Sequence, residues 1–151
     1  MSRIIKQEFV KAYEKAVKLL EIRLHTEFEL SQKLKLRGFE PEITEQVLGK
    51  LSEQGLINDQ QFAEVYLDNL IKYKTFGYFM LLKKLLERGI EKSMTENMLN
   101  ELLSLEQEKA LAQKFINKKS PTDREKLARS LNSRGFRSEV IKNILSTHSR
   151  Y

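Results

Sequence analysis

Three stretches decide the reading of this chain: LSQKLKLRGF at 30–39, LLKKLLERGI at 81–90 and LARSLNSRGF at 127–136. Laid on their glycines they align without a gap. The first copy carries Leu30, Leu34, Arg37, Gly38 and Phe39 and runs on to Ile43, Val47 and Leu48. The second carries Leu81, Leu85, Arg88, Gly89, Ile90, Met94, Met98 and Leu99; the third carries Leu127, Leu131, Arg134, Gly135, Phe136, Val140, Ile144 and Leu145. Identical offsets in three copies define one repeated unit, and repetition constrains architecture more tightly than local propensity does.

The string describes a helix that stops at glycine, turns, and begins a second helix. Gly38, Gly89 and Gly135 suit the position just past a helix end, where a left-handed backbone costs other residues ~1 kcal/mol and glycine little. The next residue then folds back on the helix just ended, which pairs Phe39 with Leu34, Ile90 with Leu85 and Phe136 with Leu131. Arg37, Arg88 and Arg134 stand immediately before the glycines, where a cation meets the last carbonyls and the negative end of the helix. A shared phosphate or partner contact is the second reading of these arginines. After each turn apolar residues return at the spacing of one buried stripe, and Pro41 and Ser138 suit helix entrances.

A third helix precedes each glycine-ended pair. The first spans about residues 9–24 and leads to Thr26, which forms a capping box with Glu29. The second begins at Asn58 or Asp59 and turns Phe62, Ala63, Tyr66, Leu67 and Leu70 inward. The third spans about 106–118 with Ala110, Leu111, Phe115 and Ile116 inward, ends at Ser120 and Pro121, and is followed by a capping box at Thr122 and Glu125. The turn glycines are 51 and then 46 residues apart, so each copy is one three-helix unit. The expected fold is all-α: three tandem three-helix repeats at 1–57, 58–105 and 106–151, stacked as an elongated array open to curvature.

Composition agrees. Only 6 Gly and 2 Pro interrupt 151 residues, and 40% hydrophobic against 32% charged residues suits soluble helices that each bury one face. With no Cys, a disulfide framework, a thiol nucleophile and sulfur-ligated zinc are excluded, and a reducing compartment fits. Residues 1–9 carry Arg3, Lys6 and Glu8 rather than a secretion signal, and the longest apolar run, 76–82, is too short to span a bilayer. A cytoplasmic protein without membrane association is expected.

Charge is unevenly placed. Residues 1–110 hold 17 Lys and Arg against 18 Asp and Glu, whereas residues 111–151 hold 10 against 3. A basic surplus confined to one end is the footprint of a polyanion-binding surface, and equally the mark of a solvated basic face.

These residues resemble the RecX family of regulators of the bacterial RecA recombinase, whose tandem repeats carry Leu-x-x-(Arg/Lys)-Gly-(aromatic or aliphatic). The joining stretch Gly55-Leu56-Ile57-Asn58-Asp59-Gln60-Gln61-Phe62-Ala63, then Tyr66, Gly77 and Arg88-Gly89-Ile90, is similar to that family's signature. Ala16, Leu19, Leu20 and Arg23 resemble its first helix, so the likeness covers residues 16–145. Thr26 stands where the family often has Ser, and Lys72, Tyr73 and Lys74 where it has an Arg-rich segment; lysine keeps the charge without the planar fork of arginine. The resemblance implies a modulator that lies in the groove of a RecA filament on DNA. It also implies dampened ATPase, strand-exchange and repressor-cleavage activities.

A catalytic role finds no support in the residues. His25 and His148 show no metal-ligand spacing and read as surface or terminal residues, and the glycines do not form a phosphate loop. Glu40, Glu42 and Glu45 complement a helix start better than they make a metal-dependent nuclease. No cofactor is expected. Among Tyr73, Phe76, Tyr78 and Phe79, a base-stacking cluster competes with ordinary packing. Phe79 shares the offset of Phe28 and reads as core; Tyr78 shares the polar offset of Glu27 and Arg124 and reads as exposed.

The residues expected to touch a filament or nucleic acid are Lys118, Lys119, Arg124, Lys126, Arg129, Arg137 and Lys142. Lys72, Lys74, Lys83 and Lys84 form a second group. Single- or double-stranded DNA would be held weakly through the basic C-terminal repeat. Two other classes compete with filament regulation: a stand-alone helical DNA-binding protein, because a glycine-turned helix pair resembles helix-turn-helix architecture, and a helical adaptor scaffold for peptides.

Overall fold

In the computed structural model, which describes residues 2–120 and 123–147, the described residues form nine helices and no strand. They run α1 (Arg3–Ile22), α2 (Glu27–Leu36), α3 (Pro41–Glu53), α4 (Asp59–Tyr73), α5 (Tyr78–Glu87), α6 (Lys92–Leu102), α7 (Leu105–Asn117), α8 (Arg124–Ser133) and α9 (Ser138–Thr147). Three successive helix triplets thus follow the three sequence copies. The chain divides into two compact units, Met1–Ala63 with Arg88–Ile90, and Glu64–Glu87 with Glu91–Tyr151.

Side chains supply the donors and acceptors that helix ends lack. Ser2 accepts from the Ile5 N–H, Asn58 from the Gln61 N–H, and Asp123 from the Lys126 N–H. Thr26 with Glu29 and Ser104 with Gln107 form reciprocal capping boxes. Asp123, rather than Thr122, is therefore the cap of α8. Thr122, Pro121 and His148 lie outside the described residues.

The helix stops are built from backbone. Gly38, Gly89 and Gly135 have φ of +88°, +83° and +85°. At the first turn the Gly38 N–H donates to Lys35 O (2.9 Å) and the Phe39 N–H to Leu34 O (3.2 Å). At the third, Gly135 N–H donates to Asn132 O (3.0 Å) and Phe136 N–H to Leu131 O (3.2 Å). These paired bonds satisfy carbonyls that the helix cannot reach. Gly55, with φ of +73°, closes α3 in the same way.

In unit 1, α3 packs on α1 and α2. Ala12 and Ala16 bring α1 close to Leu30 and Leu34 of α2 and Ile43, Val47, Leu48 and Leu51 of α3, with Phe9, Tyr13 and Phe39 around the edge. In unit 2, α5 packs on α6, and α9 on α7 and α8. Its buried side chains include Leu67, Leu81, Leu85, Leu99, Leu111, Ala112, Leu131, Phe136 and Val140. Ala110 is exposed, contrary to its assignment to the inner face; Glu108, Leu111, Ala112 and Ile116 are the buried positions of α7. Their spacing of three and four defines the stripe, and Ala110 falls beside it.

Candidate functional site

The turns at Gly89 and Gly135 are each gripped by the start of an earlier helix. In unit 1, Thr26 Oγ1 donates to Arg88 O at 2.6 Å. The Arg88 guanidinium reaches Glu29 at 2.9 Å, and Arg23 binds the same carboxylate at 3.0 Å. Burial alone would raise the Glu29 pKa. Hydrogen bonds from Arg23, the Thr26 N–H and Arg88 outweigh it and hold the carboxyl down at about 2.

Beside this ion cluster sits His25, which is only 3% exposed and so is a buried residue rather than a surface one. Its Nδ1 lies 3.0 Å from Arg23 O, and its Nε2 lies 2.8 Å from Lys33 Nζ. With Lys33 charged, Nε2 accepts and Nδ1–H donates, which is the neutral tautomer. Burial lowers the His25 pKa, the hydrogen bond to the Arg23 carbonyl opposes that, and the charges of Arg23 and Lys33 add to the lowering.

Unit 2 repeats the arrangement with different atoms. Gly77 N–H donates to Arg134 O (2.9 Å) and Phe79 N–H to Gly135 O (2.8 Å). Arg134 donates from Nε to Thr75 O (3.1 Å) and from Nη2 to Thr75 Oγ1 (2.7 Å), with its guanidinium over Phe76 and Phe115. A Cβ on Gly77 would fall 2.3 Å from Phe136 Cα, which explains a glycine inside an otherwise helix-rich stretch. Arg88 and Arg134 therefore bind the preceding helix start.

The same docking corrects two aromatic assignments. Phe79 is 55% exposed rather than core, because its backbone is pinned to Gly135 while its ring stays outside. Phe28, its counterpart, is 45% exposed, so the alignment holds while the burial inferred from it does not. Tyr78 is half-buried, its ring under the Arg137 guanidinium at 4.7 Å. With Leu82, Lys83, Leu86 and Glu87, Phe79 lines an open groove of about 390 Å³.

The basic residues separate into engaged and outward-facing groups. Arg137 is bound to the buried Glu108. Arg124 donates to Leu145 O at 2.8 Å, Lys72 pairs with Asp68, and Lys84 lies over Phe76. Lys74, Lys83, Lys118 and Lys142 are exposed. On α8, Lys126 and Arg129 are exposed on the side away from the buried Leu127 and Leu131. Lys119 joins that face by donating to Ser130 Oγ at 2.9 Å, with its ammonium over Phe115. Lys126 and Arg129 are thus exposed cations of α8, with Lys119 held against the same helix through Ser130. Among the described residues no group of three or more His, Asp or Glu is arranged to hold a metal ion, and Glu40, Glu42 and Glu45 are exposed along the start of α3. Among the described residues no helix is long and apolar enough to cross a membrane.

The fold and its turns define a protein of tandem three-helix repeats with a basic terminal helix face. Residues 12–51 match the family model for the first three-helix domain of RecX. The regulatory protein RecX of Prosthecochloris aestuarii is 33% identical over 138 residues, 89% of this chain and 91% of that protein. RecX of Caldanaerobacter subterraneus subsp. tengcongensis is 30% identical over 141 residues, 92% and 71% of the two chains. A crystal structure of RecX from Lactobacillus salivarius superposes with a TM-score of 0.82 over 97% of this chain and 99% of that one, at 21% identity, which speaks for the fold. Another crystal structure of the regulatory protein RecX gives 0.79 at 26% identity, over 92% and 72%. The chain belongs to the RecX family of regulatory proteins.

Proposed function

We propose that this chain regulates a RecA recombinase by binding its filament on DNA, and that it mainly inhibits the ATPase, strand-exchange and co-protease activities of that filament. Family membership supports the regulatory role. The observation that supports the contact surface is the exposure of Lys126 and Arg129 on α8, with Lys119 held to the same helix through Ser130, in the third repeat, residues 106–151. Exposed cations carried on and against one helix suit a phosphate backbone, because each neutralised phosphate releases condensed counterions. Lys118 and Lys142 extend the cationic surface, and Lys74 and Lys83 form a second contact region. DNA alone is held weakly through the same face, since base-specific recognition would need side chains placed in a groove.

The experiment is a titration into a RecA ATPase assay on single-stranded DNA, with binding to naked DNA measured in the same buffer. Inhibition far below the concentration that coats naked DNA is the expected result. Equal concentrations for both effects would transfer the assignment to stand-alone DNA binding.

A further inference from the structure

Two of the three Arg-Gly turns are occupied, and they are occupied alike. At Gly89 the docked segment is the start of α2; at Gly135 it is the start of α5. In both, a turn carbonyl accepts from a donor on the incoming segment, and the turn arginine reaches back to that segment. In both there is no room for a side chain: a Cβ would fall 2.2 Å from Phe28 Cβ at Gly89 and 2.2 Å from Met80 N at Gly135.

The first turn has the same Arg-Gly-apolar pattern and the same left-handed glycine, yet it is open. A Cβ on Gly38 would meet nothing within 4 Å. Arg37 is exposed and its side chain makes no hydrogen bond or ion pair among the described residues, and Leu36 beside it is 85% exposed. A joint used twice within the chain is therefore presented a third time with its docking side bare.

We propose that residues 36–39 form this open joint and dock the start of a helix from a partner protein, one with a hydroxyl or amide donor at its cap and a carboxylate in its first turn. The chemistry follows from the filled joint in unit 1. There Thr26 supplies the donor, and Glu29 supplies the carboxylate that the turn arginine binds. A second copy of this chain fits poorly. The corresponding helix start in the third copy, that of α8, places Lys126 at the offset of Glu29, where it would face Arg37 as a like charge. The inference does not rest on the filament reading, because it concerns a different surface.

The test uses the intact chain labelled with ¹⁵N and, as probe, a synthetic peptide of residues 24–36, LHTEFELSQKLKL. Within the intact chain the other two Arg-Gly turns are already filled, and the open turn at Gly55 carries Gln54 in place of the arginine, so the first is the one equipped to take the peptide. Titration should move the Gly38 and Phe39 amide resonances while those of Gly89 and Gly135 stay. Arg37→Glu, at an exposed site that leaves the rest of the spectrum unchanged, should weaken the binding about tenfold, the worth of one charge-assisted hydrogen bond. A peptide carrying Glu29→Lys should restore binding to that variant. Resonances at Gly38 that do not move, or that move equally in Arg37→Glu, would overturn the proposal. So would self-association of the chain without peptide that Arg37→Glu abolishes, since the occupant would then be a second copy.

Discussion

The carboxylate of Glu108, which has no exposed surface, holds Arg137 twice: Oε1 accepts from the guanidinium Nε at 2.5 Å and Oε2 from the Arg137 N–H at 3.0 Å. Oε2 also accepts from the Tyr78 N–H at 3.1 Å. One buried acid thus ties the start of α5 to the residue that follows the third turn.

Removing one member of such a pair strands the other without its partner. Arg137→Ala and Glu108→Ala should each cost about 3 kcal/mol of folding stability, read as a shift in the midpoint of urea unfolding. Arg137 is consequently a poor probe of nucleic-acid contact, because its loss of function would report unfolding. A melting curve for Arg137→Ala that overlays the parent would show the pair to be dispensable.

The three turn glycines should respond differently to alanine although their φ values agree. At Gly38 the only cost is the left-handed backbone, about 1 kcal/mol, because the added methyl meets open space. At Gly135 the methyl would press on the Met80 backbone as well, so Gly135→Ala should lose at least about 2 kcal/mol more. Parallel urea titrations of the two variants decide this; equal losses would mean that the docking at Gly135 is loose.

This contrast marks what the sequence could and could not disclose. Periodicity and the glycine offsets place every turn and nearly every helix, because caps and apolar stripes are local properties of the chain. The joints are not local. Thr26 and Arg88, or Thr75 and Arg134, lie some sixty residues apart, and nothing in their own neighbourhoods announces the pairing. Glu108 hides for a related reason: an acid inside an apolar stripe looks like a break in it, and the apolar pattern then points to Ala110 instead. Phe79 failed in the opposite direction. Its alignment with Phe28 is sound, but a residue at a joint can dock through its backbone and leave its ring outside.

Acid should loosen the Glu29 cluster in a defined window. Its folded pKa, about 2, lies below the ordinary 4.5, so the contribution is fully present above pH 4.5 and is lost as the pH falls toward 2. The shift corresponds to about 3 kcal/mol, and at 13% exposure the side chain is only weakly screened. His25 acts in the same direction at higher pH. Its folded pKa is lowered, so below about 6.5 the unfolded chain takes up the proton first and stability begins to fall. Unfolding free energies measured from pH 7 downward should decline in two stages. Glu29→Gln should remove the lower stage and His25→Asn the upper; a parent profile flat to pH 4.5 would refute the buried neutral imidazole.

The surface assigned to filament contact makes the sharpest functional demand. Lys126 and Arg129 are exposed on α8, Lys119 after the end of α7 reaches Ser130 of that helix, and none of the three forms an ion pair among the described residues. Replacing all three with glutamate should leave helix content unchanged and stability nearly so, since exposed charges away from the core contribute within about 0.5 kcal/mol each. Inhibition of the recombinase ATPase should weaken strongly. Its dependence on salt should also flatten, because the slope of log affinity against log salt falls by ~0.7 to 0.9 for each phosphate contact removed. Including Arg124 in the set would cloud the result, as its guanidinium also caps the Leu145 carbonyl. A folded triple variant that inhibits with the parent's potency and salt slope would exclude α8 and move the contact to the region of Lys74 and Lys83.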